Sequence, residues 1–230
     1  MYFHHADAIW RDFPELVPGT IVATGITPAA DVTGAVERFS DVARSRLGGG
    51  SEAELPEIQA WRRAFSRMEL KPTQYRCASE SLLRRFRKEG ALPRIHPLID
   101  LCNAASLAYA VPVAVFDVSR VTGFLEVRRA TGDETYTTFG GDVEHPEPGE
   151  VIFADEAGRA HARRWTNRQS GHSAVRGSTT DVLIVAEALH ATAADDVREL
   201  IADLAGELEA RWAVGGEPAV LSPAAPRLAF

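Results

Sequence analysis

The feature that most constrains this chain is the stretch from Arg94 to Asp117, RIHPLIDLCNAASLAYAVPVAVFD, where a helix with polar residues on its face runs straight into a short apolar strand. Pro97 suits the first helical position, because its missing N–H would be unpaired there in any case, and His96 precedes it as a cap. Leu98, Leu101, Ala105 and Ala108 recur at helical spacing as a buried stripe. Asp100 and Asn103, three apart, share another face. Ala110, Val111 and Pro112 stop the helix, and the β-branched and aromatic content of Val113–Asp117 predicts a buried strand.

Around this joint the pattern splits into a helical first half and a strand-rich second half. Gly19–Ile26 reads as an opening strand bounded by Pro18-Gly19 and Pro28. Val32, Val36, Phe39, Val42, Ala43 and Leu47 predict an amphipathic helix over 31–47, ended by Gly48-Gly49-Gly50. A second helix starts near Pro56 and runs through Trp61 and Phe65. A third covers 79–89, with Ser79 as N-cap and Gly90 just past its end. Short strands follow near 113–116, 124–128, 135–138, 150–154, 160–165 and 182–186. A long amphipathic helix over 193–212 places Val197, Leu200, Ile201, Leu204 and Leu208 on one stripe. Helices first and strands later in one unit indicate an α+β fold. The expected organisation is a single domain over 1–214, followed by a poorly ordered Pro- and Ala-rich tail over 215–230.

Composition narrows the function. With 230 residues, 45% hydrophobic and 25% charged, the chain is long enough for one sizeable core. It holds no apolar run of about 18 residues, so no membrane span or membrane partner is expected, and the N-terminus lacks the pattern of a secretory signal. A cytoplasmic site of action follows as the expectation. The two cysteines, Cys77 and Cys102, are not spaced as a motif, and the seven histidines form no zinc pattern. No metal and no cofactor are expected. GxSxG, GxGxxG and GxxxxGK[ST] are absent, which argues against a serine-triad hydrolase and against a nucleotide cofactor. A net charge of −7 disfavours bulk nucleic-acid binding. Local basic clusters remain, Arg84, Arg85, Arg87 and Lys88 in one, Arg159, Arg163, Arg164 and Arg168 in the other.

The arrangement P-x-I-D-x-x-N (97–103) followed by a P-x-x-x-F-D strand (112–117) resembles the tRNA-binding and editing domain of the phenylalanyl-tRNA synthetase beta chain. The resemblance continues through GFLEVRRA (123–130), GDE (132–134), PGEVIFAD (148–155), QSGHS (169–173) and TTDVLIVAE (179–187), covering roughly Lys71 to Arg198. It implies a layered α/β domain with a β-sandwich of unusual topology. It also implies a pocket that hydrolyses misactivated amino acids from tRNA.

Matched residue by residue, Asn103 stands for an asparagine of that pocket, Cys102 occupies the place of a threonine, and Glu187 matches the carboxylate that binds the non-cognate side chain or ammonium. Ala114 departs from the family, which keeps a histidine there to position water. The resemblance thus points to Glu187, Asn103 and Gln169 as catalytic, and to Asp100, Cys102, Thr166, Asn167, Arg168, Ser170 and Gly171 as substrate-binding. Arg84, Arg85, Lys88, Arg163 and Arg164 are the expected RNA contacts. Glu187 stands out independently, since an acid inside VLIVAEAL must be paired or face a cavity. Cys102 by itself reads as a small core residue. The expected function is a tRNA-binding deacylase acting in trans on mischarged or non-protein aminoacyl-tRNA. The alternative is a non-catalytic module for tRNA or an amino-acid-like small molecule. The amino acid, the tRNA and the oligomeric state stay open.

Overall fold

A computed structural model describes residues 1–48 and 50–230. The first half holds β1 (Tyr2–His5), α1 (Asp7–Asp12), β2 (Val17–Thr24), α2 (Thr33–Leu47), α3 (Pro56–Arg67), α4 (Ala78–Glu89) and α5 (Pro97–Tyr109). Strands β3 (Val113–Asp117), β4 (Phe124–Arg129), β5 (Tyr136–Thr137), β6 (Val143–Glu144), β7 (Val151–Asp155), β8 (Ala160–Arg163), β9 (Arg168–Gln169) and β10 (Asp181–Ala188) follow. The chain closes with α6 (Ala193–Glu209), β11 (Ala213–Val214), β12 (Ala219–Val220) and β13 (Arg227–Ala229). Of the three glycines expected to end α2, Gly49 lies outside the described residues.

The mixed α+β class is as expected, and its layers follow from the period-2 pattern of β10. Leu183 and Val185 point into one core, while Val182, Ile184, Ala186 and Ala188 point into another. On the first side the sheet β11-β2-β10-β3 faces a second sheet, β13-β1-β4-β7-β8-β9. Phe3, Leu125, Val127 and Phe153 meet Leu183, Val185 and Phe116 between them. On the second side α5 and α6 cover β10 and β2 through Leu98, Leu101, Cys102, Val197 and Leu204. Helix α6 lies so close that a Cβ at Gly19 of β2 would come within 2.6 Å of Val197, so glycine is required by the close approach.

The helix-to-strand joint is built as its sequence indicates. His96 Nδ1 accepts a hydrogen bond from the Leu98 amide at 3.2 Å, Pro97 occupies the first turn, and Ala110 closes α5 in a left-handed conformation. Helix α4 begins one residue earlier than expected, with Cys77 rather than Ser79 at the cap, and ends on left-handed Gly90.

The tail corrects the sequence reading. Residues 219–220 pair with β2 and 227–229 pair with β1, and Thr20 Oγ1 donates to the Ala219 carbonyl at 3.0 Å. The outer strands of both sheets carry backbone groups that need partners, and the tail supplies them. Strand β1 and helix α1 are likewise absent from the sequence reading, because four residues are too few to display a period.

Glu134 fastens the β4–β5 connection: its carboxylate accepts from the amides of Thr131 at 3.0 Å and Gly132 at 3.0 Å and pairs with Arg128. Burial acts to raise its pKa, but these donors outweigh it and hold the carboxyl at about 2. A depressed folded pKa contributes stability that is present above the unfolded value near 4.5 and is lost as pH falls toward 2. Chemical denaturation of Glu134→Gln at a series of pH values is expected to show lower stability at pH 7 and a shallower loss between pH 4.5 and 2 than the parent chain. Equal slopes would refute this.

Candidate functional site

Strand β10 ends at an acid with nowhere apolar to go. Glu187 shares the face of Leu183 and Val185, so its side chain enters the space between the sheets, where it is 2% exposed. Its Oε1 accepts from His5 Nε2 at 2.7 Å and from Trp165 Nε1 at 3.0 Å, and the Trp61 indole donates to its backbone carbonyl at 3.3 Å. His5 comes from β1 of the opposite sheet and is itself buried. The pair therefore bridges the sandwich, and Oε2 is left out of this network.

Trp165 reaches that position through an unusual turn. Arg164 and Trp165, between β8 and β9, have φ of 47° and 58°, the left-handed region that costs a non-glycine residue about 1–2 kcal/mol. Several contacts hold the turn against this strain. Glu150 accepts from the Arg164 amide at 2.9 Å, Trp165 donates its amide to Val151 at 2.7 Å, and its ring packs edge-on against Trp61 at 5.0 Å and Phe13 at 4.8 Å. The same turn swings residues 166–169 across the mouth of a cavity.

That cavity has a volume of about 70 Å³, several times the roughly 15 Å³ one water needs. Its walls are mainly apolar, from Ala78 at the start of α4, Val113 and Ala114 of β3, Phe153 of β7 and Val185 of β10. Glu187 and residues 166–169 add polar groups. Thr166 Oγ1 is buried without a hydrogen-bond partner. Ala114, where the resembling domains keep a histidine, stands in the wall.

The structure brings Glu187, Thr166, Asn167, Arg168 and Gln169 together and separates them from other expected residues. Asn103 and Asp100 line a different cavity of about 240 Å³ between α2, α4 and α5. Asp100 Oδ1 accepts from the Ile95 amide at 2.8 Å and so caps the approach to its helix. Helical spacing shows which residues share a face but not what that face meets. Cys102 turns into the core under β10, where burial pushes its thiol well up and makes it a poor nucleophile.

Ser170 and Gly171 are also spent on structure. Ser170 Oγ donates to Thr137 at 2.8 Å, the Gly171 amide donates to Thr137 at 2.9 Å, and a Cβ at Gly171 would meet the Thr138 carbonyl at 2.6 Å. Within the cavity wall, Gln169 Nε2 donates to Val115 at 2.6 Å and Asn167 Nδ2 to Arg76 at 2.7 Å. The Gln169 and Ser170 side chains and the Gly171 amide are therefore committed elsewhere, and among the described residues of this wall Thr166 Oγ1 is the hydroxyl without a partner.

The basic clusters separate in the same way. Arg163 is 4% exposed and locked between Glu150 at 2.9 Å and Glu144 at 2.8 Å, so it has no charge to offer RNA. Arg164 lies over the Tyr75 ring at 4.7 Å, and Arg168 pairs with Glu144 at 3.0 Å. On α4, Arg84 and Arg85 are 58% and 50% exposed in their side chains, and Lys88 is exposed. Since Ala78 at the head of α4 lines the cavity, Arg84 stands about 9 Å and Lys88 about 15 Å along the helix from it.

A second constellation catches the eye. His161 Nδ1 is 2.8 Å from Ser173 Oγ and its Nε2 is 3.4 Å from Asp155 Oδ2, a Ser-His-Asp chain with the two ring nitrogens exchanged relative to a serine triad. All three are buried, so no substrate reaches the hydroxyl. Asp155 instead holds the amides of Thr122 and Arg159, and against the raising effect of burial His161 and these amides bring its carboxyl to about 2. This set is structural.

Sequence reasoning missed His5, Trp61 and Trp165 as partners of Glu187. A buried acid announces that it needs donors, but the donors lie up to 182 residues away.

A family model described as the B3/4 domain matches residues 60–229. The phenylalanine–tRNA ligase beta subunit of Bradyrhizobium diazoefficiens is 34% identical over 105 residues, 46% of this chain and 13% of that protein. The corresponding subunit of Shouchella clausii is 29% identical over 150 residues, 65% of this chain and 18% of that protein. The chain thus spans less than a fifth of these relatives. A solved N-terminal fragment of the phenylalanyl-tRNA synthetase beta subunit from Pyrococcus horikoshii aligns over 91% of this chain and 48% of its own length, at 10% identity and a TM-score of 0.46.

If His5 and Glu187 hold one another, a double-substitution cycle with His5→Ala and Glu187→Ala should give a coupling energy of about 1–3 kcal/mol in urea denaturation. Additive effects would show that the two side chains do not stabilise each other.

Proposed function

The chain belongs to the B3/4 domain family, a synthetase-related module, and from that premise we propose that it is a deacylase acting in trans on mischarged aminoacyl-tRNA. The observation that carries this reading is the Glu187 cavity: an apolar pocket of side-chain scale with one anchored carboxylate whose second oxygen is left for a ligand. The ester carbonyl of an aminoacyl-tRNA would sit at the mouth, with the α-ammonium or a polar side-chain group on Glu187 Oε2 and the apolar part of the amino acid against Phe153 and Val185. Water adds to the carbonyl carbon, the bond to the ribose oxygen breaks, and that oxygen takes the proton while the amino acid leaves as the acid. Thr166 Oγ1 is the side-chain hydroxyl available to hold the water. Holding both reactants in register supplies most of the rate for an ester, which needs less help than an amide.

The RNA chain would run along α4, with Arg84, Arg85 and Lys88 against its phosphates. Arg163 drops out of this set because its charge is already neutralised.

A second reading, a module that binds aminoacyl-tRNA or an amino-acid-like molecule without hydrolysing it, is favoured by two observations. Ala114 stands where the resemblance places a water-positioning histidine, and the side-chain amides of Gln169 and Asn167 are engaged with the carbonyls of Val115 and Arg76.

Incubation with a panel of aminoacyl-tRNAs, following release of labelled amino acid, separates the two. Hydrolysis of at least one species is expected, falling at least tenfold in Glu187→Gln, about 1.4 kcal/mol of transition-state binding, and lost in Ala114→Phe, which fills the cavity. Ala114→His should match or exceed the parent rate. Binding without release would favour the second reading. Full activity in Glu187→Gln would remove the carboxylate from the mechanism.

For the RNA contact, Arg84→Glu with Lys88→Glu should weaken tRNA binding and flatten its dependence on salt. Unchanged affinity across the salt series would rule out α4 as the contact.

A further inference from the structure

Away from the Glu187 cavity, the first turn of α3, the β10–α6 junction and the first turn of α6 bring three ligating side chains together. One carboxylate oxygen from each of Glu57 and Asp196 and one ring nitrogen of His190 lie within 4.8 Å of one another. No spacing rule links positions 57, 190 and 196, so no sequence motif reveals the trio.

Two atoms of this cluster are buried and have no hydrogen-bond partner among the described residues: Glu57 Oε2 and His190 Nδ1. The residues that carry them are 7% and 6% exposed. Buried polar atoms without partners are rare in folded proteins, and two in one cluster ask for a group that accepts lone pairs. The neighbouring bonds sharpen this. His190 Nε2 bonds Asp196 Oδ2 at 2.6 Å, and the Thr192 hydroxyl donates to the same oxygen at 2.6 Å. If the ring donates from Nε2, Nδ1 presents a bare lone pair. Glu57 Oε1 is held by Arg46 at 2.5 Å, and Arg46 also donates to the Ala108 carbonyl at 2.8 Å, which fixes the carboxylate and leaves Oε2 unbonded.

Charge points the same way. Two carboxylates and one guanidinium leave one net negative charge beside the imidazole.

We propose that Glu57, His190 and Asp196 bind one divalent metal ion of the zinc class at the junction of α3, β10 and α6. Tetrahedral zinc places its ligand atoms about 3.3 Å apart. To close on the ion the side chains rotate and give up the His190–Asp196 hydrogen bond, and Asp196, about a third exposed, gives the ion a path from solvent. The role is structural. Trp61 lies one turn beyond Glu57 on α3 and donates to the Glu187 backbone, so the ion would brace the helix that backs the cavity. The inference does not depend on the deacylase reading.

The test uses the full, untagged chain, stripped with chelator and dialysed against zinc, with magnesium as the control ion. One zinc per chain by elemental analysis is expected, with a melting temperature that rises on zinc addition and falls again with chelator. Cobalt(II) should give the visible absorption of a nitrogen- and oxygen-ligated site. His190→Ala should lose both the bound metal and the thermal shift. Asp196→Asn, at a partly exposed position that leaves the buried Arg46–Glu57 pair intact, should lower zinc affinity at least tenfold while the chain remains folded, and it carries the test if His190→Ala does not fold. If zinc is not retained and neither zinc nor chelator moves the melting temperature, the two orphaned atoms hold water or a proton and the proposal is overturned. Zinc retained equally by Asp196→Asn and His190→Ala would place it at another site and overturn it as well.

Discussion

The two sheets of this protein are joined at their polar centre by one carboxylate. Glu187 sits in an interior otherwise made of Phe3, Phe153, Val185 and three tryptophans, and it is tolerated there because His5 and Trp165 donate to the same oxygen. An isolated carboxylate in such surroundings would cost several kcal/mol. Much of the local architecture serves this requirement. The strained turn at Arg164 and Trp165 delivers the indole, β1 delivers the imidazole, and the aromatic edge contacts of Trp165 hold its ring in place.

The price of that arrangement is flexibility in the loop beside it. Residues 166–171 are rich in side chains able to donate hydrogen bonds, yet Asn167, Gln169 and Ser170 use theirs to fasten the loop to the segment leading into α4, to β3 and to β5. What remains for a ligand is sparse: one carboxylate oxygen, one threonine hydroxyl and an apolar wall. Such a site selects by shape and by a single charge contact rather than by a dense network of donors.

How much of this was legible in the sequence depends on the range of the interaction that decided it. The Pro97 start and His96 cap of α5 are local, and they appear where the residues indicate. Glu187 was legible because an acid in an apolar strand has few explanations. Asp100 and Asn103 share a face as their spacing requires, but that face meets α2 and α4 instead of the sandwich, and no periodicity carries this information. Arg163 looks like a free cation in sequence; its partners are Glu144 of β6 and Glu150 just ahead of β7. The short strands β1, β12 and β13 show no pattern, and their pairing depends on which backbone groups the rest of the fold leaves open.

The His5–Glu187 contact has a consequence in time as well as in space. Its partners are 182 residues apart, and the strand that carries His5 is held between β4 and β13, elements that come much later in the chain. Contacts of such separation form late, after the entropy of closing long loops has been overcome. A chain still emerging from the ribosome holds His5 long before it holds Glu187, so this link between the two sheets can close only after both ends of the fold have been made.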